Sequence, residues 1–251
     1  MSNLIDFSYF PGCSLATSAA ESNISMMKSA RILGLNLIEL KDWNCCGSSS
    51  AGTLCKNLAL AMAARNLSLA PPDRPLVAMC PRCLHYLRSA QNCLKNDPET
   101  RSNLEEQFGR SLNPDLEIVH FMARPPSLAK EKYFQGEMEN ILVALGAEPV
   151  TTGLSHRCCG SFLSATDPEV VTPLVNEIIK SAVASKANCL VTACAMCQLN
   201  LEIRATAKTR LPVFHFSEVL ALALGAEDYE AWFVRHIVDP RPLVEKLARA
   251  A

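Results

Sequence analysis

The sequence predicts an α/β protein of two similar halves, each a small, mostly parallel sheet flanked by helices. Three observations predict it. Strand-length apolar runs alternate with stretches of helical periodicity. The runs end in cysteine motifs at strand-to-helix junctions, and those motifs recur in the same order along the chain.

Leu4–Phe10 reads as a strand that ends at Pro11-Gly12, just before Cys13. Ser22–Leu33 has helical apolar spacing through Ile24, Met27, Ile32 and Leu33 and stops at Gly34, a favourable residue after a helix end. Leu35–Leu40 is a strand running into the loop NCCG, and Thr53–Ala70 is an Ala- and Leu-rich helix closed by Pro71-Pro72. Leu76–Met79 is a short apolar strand delivering Cys80, with helix from Leu84 to Lys95. A polar stretch, Asn96–Pro114, reads as the boundary between domains 1–113 and 114–251, followed by strand Leu116–Phe121. The second half repeats the order with helix Gly136–Leu145, strand Ala147–Thr152, helix Pro168–Ala187 and strand Cys189–Ala193.

The chain has 251 residues, enough to bury a sizeable core, with 49% hydrophobic and 20% charged residues. A net charge of −1 gives no electrostatic reason to expect nucleic acid or an anionic membrane as partner. No apolar run approaches the roughly 20 residues of a membrane span, and MSNLIDFSYFPG lacks the layout of a signal peptide. A soluble protein of the cytoplasm is expected.

The twelve cysteines carry the chemistry. YFPGCSLA holds Cys13, NCCGSSSAGT holds Cys45 and Cys46, and LVAMCPRCLHYL holds Cys80 and Cys83. RCCGSFLSAT then carries Cys158 and Cys159, and LVTACAMCQLNL carries Cys194 and Cys197. Both CCG segments read Cys-Cys-Gly-Ser, and both CxxC segments follow Leu-Val. Counting back from Cys158 by the Cys13-to-Cys45 separation lands on Pro126, and Ser127-Leu128-Ala129 echoes Ser14-Leu15-Ala16. Proline has no thiolate, so the second set is one ligand short.

Adjacent cysteines pair poorly with each other, yet their thiolates can serve one polynuclear centre. Thiolates select iron–sulfur clusters, zinc or cuprous copper. A CxxC at the start of a helix brings two sulfurs to one centre, with helix amides facing its negative charge. Gly47 and Gly160 permit unusual backbone angles beside the cysteine pairs. Five thiols exceed a tetrahedral zinc site, so the first set points to a polynuclear centre; the four of the second suit zinc or a four-iron cluster. A dithiol redox reading of CxxC leaves both CC pairs unexplained.

This pattern, Cys13…CCG…CxxC repeated, resembles the CCG cysteine-rich domain family, and YFPGCSL points within it to the B-type subunit of heterodisulfide reductase. The closing LPVFHFSEVLALALG (Leu211–Gly225) extends the likeness over nearly the whole chain. The resemblance implies that Cys13, Cys45, Cys46, Cys80 and Cys83 hold a noncubane four-iron cluster and act in catalysis through it. It further implies reductive cleavage of a thiol/disulfide substrate, with electrons from a ferredoxin-like iron–sulfur subunit and a flavin subunit. This chain has no ferredoxin run of cysteines and no G-x-G-x-x-G, so both would be separate polypeptides. Lacking a counterpart of Cys13, the second half departs from the family; Cys158, Cys159, Cys194 and Cys197 are expected to hold an ordinary [4Fe–4S] cluster or zinc. A heterodisulfide-reductase-like complex of sulfur metabolism is the leading expectation. The alternatives are an electron-relay subunit of a lactate-utilisation or quinone-linked dehydrogenase complex, and a zinc-binding interaction module.

Other residues carry plainer readings. Cys55, Cys93 and Cys189 fall outside the motifs and read as structural. His156, two residues before Cys158, is either a replacement for the missing ligand or an ordinary loop histidine, and the second is the preferred reading. His85 is either a donor beside the first set or a helix-surface residue, and Arg82 is either a partner of cluster charge or a solvated arginine. His120 and His215 end similar strands, IVHF and VFHF, and read as a shared structural feature.

Overall fold

A computed structural model describes residues 4–48, 50–122, 136–155, 157–206, 208 and 210–248. Four strands, β1 (Ile5–Phe10), β2 (Leu35–Glu39), β3 (Leu76–Ala78) and β4 (Ile118–His120), form a parallel sheet in the order β2-β1-β3-β4. Parallel strands covered on both faces need continuous apolar runs rather than alternation; all three residues of β3 and all three of β4 are buried accordingly. A second parallel sheet pairs β5 (Leu190–Thr192) with β6 (Val213–His215). The expected small parallel sheets flanked by helices are present.

The chain clusters into two compact units, Met1–Thr17 with Ala30–Tyr133, and Ser18–Ser29 with Phe134–Ala251. The first unit thus extends past the expected boundary at residue 113. Strand β4 lies beyond that point, yet its residues pair in register with β3, Ala78 beside His120, and complete the first sheet.

Helices α1 (Gly12–Ala16), α2 (Ala20–Ile32), α3 (Ser50–Leu54), α4 (Lys56–Ser68), α5 (Pro81–Asn96) and α6 (Pro98–Phe108) lie between the strands of the first half. The expected helix Thr53–Ala70 is broken at Cys55, whose extended backbone starts α4. The polar stretch expected as a linker is largely α6. Asp97 caps it, accepting from the Thr100 amide at 2.9 Å; Pro98 follows, and Gly109 ends it in the left-handed region. Each of these is a boundary signal of a helix.

Helix α2 buries a face other than the one its apolar residues suggest. Ile24, Ile32 and Leu33 are exposed, while Ser22, Ser25, Ser29, Met26 and Ala30 are buried. The serine hydroxyls are satisfied within the second unit: Ser22 donates to Gln198 and Ser25 shares a 2.6 Å hydrogen bond with Ser217. Ser217 in turn donates to the Ser22 carbonyl at 3.0 Å.

The remaining helices are α7 (Glu137–Ala144), α8 (Pro168–Ala184), α9 (Ala195–Arg204), α10 (Phe216–Ala223), α11 (Glu230–Phe233) and α12 (Arg241–Ala248). On α8, Val171, Val175, Ile179 and Ala182 form the buried stripe against Leu201 and Val213. Burying a side chain such as Val175 stabilises the unit by about 1.5–3 kcal/mol. The expected strand Ala147–Thr152 is irregular. Its Pro149 has no amide hydrogen to give a sheet ladder.

Candidate metal–thiolate centres

The first cysteine set is assembled at the C-terminal ends of β1 and β3. Strand β3 feeds through Met79 into Cys80, which stands at the N-cap of α5 with extended backbone, and Cys83 is one turn later. The Leu84 amide donates to the Cys80 carbonyl at 2.9 Å, closing that turn. Both sulfurs thus face the helix N-terminus, where unpaired amides and the helix dipole favour negative charge. Cys13 lies in α1 after the end of β1, and Cys45 and Cys46 lie in the loop after β2.

The five thiols form a chain of neighbouring pairs. The Cys46 and Cys83 sulfurs are 3.2 Å apart, and those of Cys13 and Cys45 are 3.8 Å apart. Cys83 also hydrogen-bonds Cys80, and Cys46 hydrogen-bonds Cys45, so the array is continuous. Cys46 and Cys83 are buried and Cys13 is exposed. The electrostatics say what such an array needs. The hydrogen bond to Cys46, then that to Cys80 and burial, push the Cys83 thiol far up. Contact with Cys45 does the same for Cys13. One thiolate here opposes the next, and only a compact cation or cationic cluster allows several together. The donor set fits an iron–sulfur centre.

The second set repeats the frame at β5. Cys194 is the N-cap of α9, Cys197 follows one turn on, and the Cys197 amide donates to the Cys194 carbonyl at 2.9 Å. The Cys159 and Cys197 sulfurs are 3.2 Å apart. The Cys197 hydrogen bond draws the Cys159 thiol down to about 6, while Cys197 itself is pushed far up by Cys159 and then Cys194. Cys158 behaves differently. It is exposed and its sulfur accepts from the Gly160 amide at 3.4 Å, so the structure joins three of the four thiols and leaves the fourth beside them. Pro126, and His156 with it, lie outside the described residues.

Side chains that the sequence did not single out fix both loops. Asn66, fully buried on α4, accepts from the Asn44 amide at 2.9 Å and donates to its carbonyl at 2.9 Å, holding the residue before Cys45. Arg65 reaches the Asp42 carbonyl and the Asn44 side chain. In the second half, buried Asn200 on α9 donates to the Cys159 carbonyl at 2.8 Å. A single asparagine within a helical segment has no pattern that marks this role. Gln198, next to Cys197, donates to the Val213 carbonyl and to Glu218. Behind it His236 bridges two buried carboxylates, Glu202 at 3.0 Å and Glu218 at 3.1 Å.

Backbone clearance is minimal at two glycines of the first set. A Cβ on Gly12, at φ 74°, would stand 3.0 Å from the Cys83 sulfur. On Gly47, at φ 81°, it would stand 3.0 Å from the Ala59 Cα and 3.1 Å from its carbonyl oxygen. Neither backbone atom can yield without moving α4. Gly47→Ala is therefore expected to destabilise the protein by about 1–3 kcal/mol, read as a lower denaturation midpoint; an unchanged midpoint would refute the packing.

The other readings resolve simply. His85 is exposed on α5 with its ring against Tyr86, the helix-surface alternative. Arg82 is exposed and donates to the Ser48 carbonyl at 2.8 Å, a strut from α5 to the CCG loop. Cys55 is exposed, and Cys93 and Cys189 are half-buried; burial pushes the Cys189 thiol up to about 11.

Two strand–loop–helix frames, each bringing thiols of a CxxC against those of a CCG loop, define a protein of two similar cysteine-rich repeats. The chain belongs to the CCG cysteine-rich domain family, whose model matches residues 7–88 and 126–202. The second match begins at Pro126, where the repeat count placed the missing cysteine. The 8-methylmenaquinol:fumarate reductase membrane anchor subunit of Wolinella succinogenes is 29% identical over 95% of this chain and 99% of its own length. A protein of Archaeoglobus profundus like the B-type subunit of heterodisulfide reductase is 24% identical over 88% of this chain and 91% of its own. The glycolate oxidase iron-sulfur subunit of Escherichia coli is 23% identical over 86% of this chain and 57% of its own. Among solved structures, a hypothetical protein from Helicobacter pylori shares the fold with a TM-score of 0.75 at 12% identity; the match covers 92% of this chain and about half, 51%, of that one. The chain is thus a CCG-domain protein similar to subunits of oxidoreductase complexes. Among the described residues no helix is long and apolar enough to cross a membrane.

Proposed function

We propose that this chain is the electron-carrying iron–sulfur subunit of a quinone-linked oxidoreductase complex. In this reading Cys13, Cys45, Cys46, Cys80 and Cys83 hold one cluster, and Cys158, Cys159, Cys194 and Cys197 hold a second, ordinary [4Fe–4S] cluster. The observation that carries the reading is the inequality of the two thiol sets, five continuous sulfurs against three joined and one apart. Disulfide cleavage between two matched centres needs two complete sets, whereas a relay tolerates unlike ones. The near full-length likeness to a subunit of a menaquinol:fumarate reductase supports the quinone side. A flavin subunit and a ferredoxin-like iron–sulfur subunit are the proposed partners, and free-thiol chemistry of this kind suits the reducing cytoplasm.

A second reading has its own support. Within the five-thiol set Cys13 is exposed, while Cys46 and Cys83 are buried. That arrangement suits a noncubane cluster open to a thiol or disulfide, as in a heterodisulfide-reductase-like complex of sulfur metabolism. The chemistry a bound cluster supplies is one-electron transfer at sulfur-ligated iron; the protein holds the sulfurs and limits access to them.

Protein purified without oxygen should be brown and carry roughly four to eight iron atoms per chain. Stoichiometric zinc without iron would overturn both readings and leave a zinc-binding module. Dithiothreitol added to the oxidised protein separates them. An unchanged paramagnetic spectrum supports the relay, and a new thiol-dependent signal supports disulfide chemistry at the first set.

A further inference from the structure

The two halves share a contact that neither cysteine motif contains. His120 ends β4 and sits beside Ala78, the last residue of β3. His215 ends β6 and sits beside Thr192, the last residue of β5. In each pair the neighbouring strand is the one that feeds a CxxC.

Both imidazoles are fully buried, at 0% and 1% exposure, and both are held in one tautomer. His120 Nδ1 accepts from the Met122 amide at 3.2 Å, which leaves its Nε2–H to donate to the Met79 carbonyl at 2.5 Å. His215 Nδ1 accepts from the Ser217 amide at 3.4 Å and lies 2.8 Å from the Ser217 hydroxyl, and its other side hydrogen-bonds the Ala193 carbonyl. Met79 immediately precedes Cys80, and Ala193 immediately precedes Cys194. Each ring therefore uses one nitrogen as acceptor from a backbone amide and the other as donor to the carbonyl before a CxxC. A buried carbonyl at a strand end, past the last ladder bond, otherwise lacks a partner.

We infer that His120 and His215 are equivalent positioning residues, each tethering the carbonyl before a CxxC and so setting the reach of its two thiols toward the metal. The inference rests on the reading of the cysteine sets as iron–sulfur sites. The tether acts on the peptide group that joins the preceding residue to the first cysteine of each pair, as outer-sphere hydrogen bonds do when they orient metal ligands. It also makes the two sites independently adjustable, since each histidine touches one loop.

The test uses the full chain, purified without oxygen, with His120→Leu, His215→Leu and their glutamine counterparts, which keep a donor. The readouts are iron content and the resolved paramagnetic signals of the two sites. His120→Leu should lose or shift the first site's signal and leave the second's, with iron falling by up to about half. His215→Leu should do the reverse, and glutamine should restore each at least in part. Native iron and native spectra in both leucine variants overturn the inference. So does simultaneous loss of both signals, or failure of both variants to give soluble protein, since the histidines would then serve the whole fold. If the wild-type protein holds no iron, the iron–sulfur reading fails instead, which is a separate result.

Discussion

Changing Cys83 to alanine is expected to empty the first site and leave the second filled, with iron per chain falling by roughly half. Cys83 is the hub of the array. It lies 3.2 Å from Cys46, hydrogen-bonds Cys80, and is buried at the start of α5. Removing it therefore deletes a thiol and opens a gap where the CCG loop meets the CxxC. Cys158→Ala should be milder at the second site, because Cys158 is exposed and its sulfur points to the Gly160 amide instead of another thiol. Iron analysis with spectra of the two variants checks both statements. Full retention of iron in Cys83→Ala would show that the first set does not work as one centre.

The second large effect is on stability. His236→Ala is expected to cost about 3–5 kcal/mol, because it strands two buried carboxylates without their shared cation. Glu202 and Glu218 expose 4% and 1% of their side chains. Burial works to lower the His236 pKa, but the hydrogen bonds its ring donates to the two carboxylates outweigh it and raise the value to about 9. Because this pKa lies above the ordinary 6.5, the stabilisation is complete below about pH 6.5 and fades as pH rises through 9. Glu218 works in the same direction, since burial raises its own pKa and its ionised form is the costly one. Guanidinium unfolding of the wild type at pH 6 and pH 9.5 should show stability lost over that interval; equal stability at the two pH values would show that His236 does not carry the charge.

Residues that do their work through local spacing are legible from the amino-acid sequence alone. Cys80 and Cys83, like Cys194 and Cys197, must share a helix turn, and β3 and β5 must precede them because Leu-Val-Ala and Leu-Val-Thr can be buried on both faces. Helix α6 is marked by Asp97, Pro98 and Gly109, yet its polar composition reads equally as a linker. What stays illegible depends on partners far along the chain. The buried face of α2 is set by Ser217, 192 residues after Ser25, so its isoleucines mislead. Strand β4 joins the first sheet rather than opening a second, which periodicity cannot choose. Asn66 and Asn200 act through backbone groups of the CCG loops, and a lone polar residue on a helix carries no spacing to read. The number and spacing of the thiols point to a metal and the repeat count to the asymmetry, but neither marks the two histidine tethers.

Residues 18–29 leave the ribosome long before Ser217, Gln198 and Arg235, the groups that satisfy their hydroxyls and carbonyls. During synthesis the segment therefore waits, with Ser22 and Ser25 solvated, until nearly the last strand has emerged. The same arrangement means that no single cut divides the protein into its two halves. A fragment starting after residue 133 would carry the second cysteine set but lack the helix that Ser217 was shaped to meet. Because Ser18–Ser29 belongs to the second unit while the chain on both sides of it belongs to the first, an intact second unit requires residues from both ends of the chain.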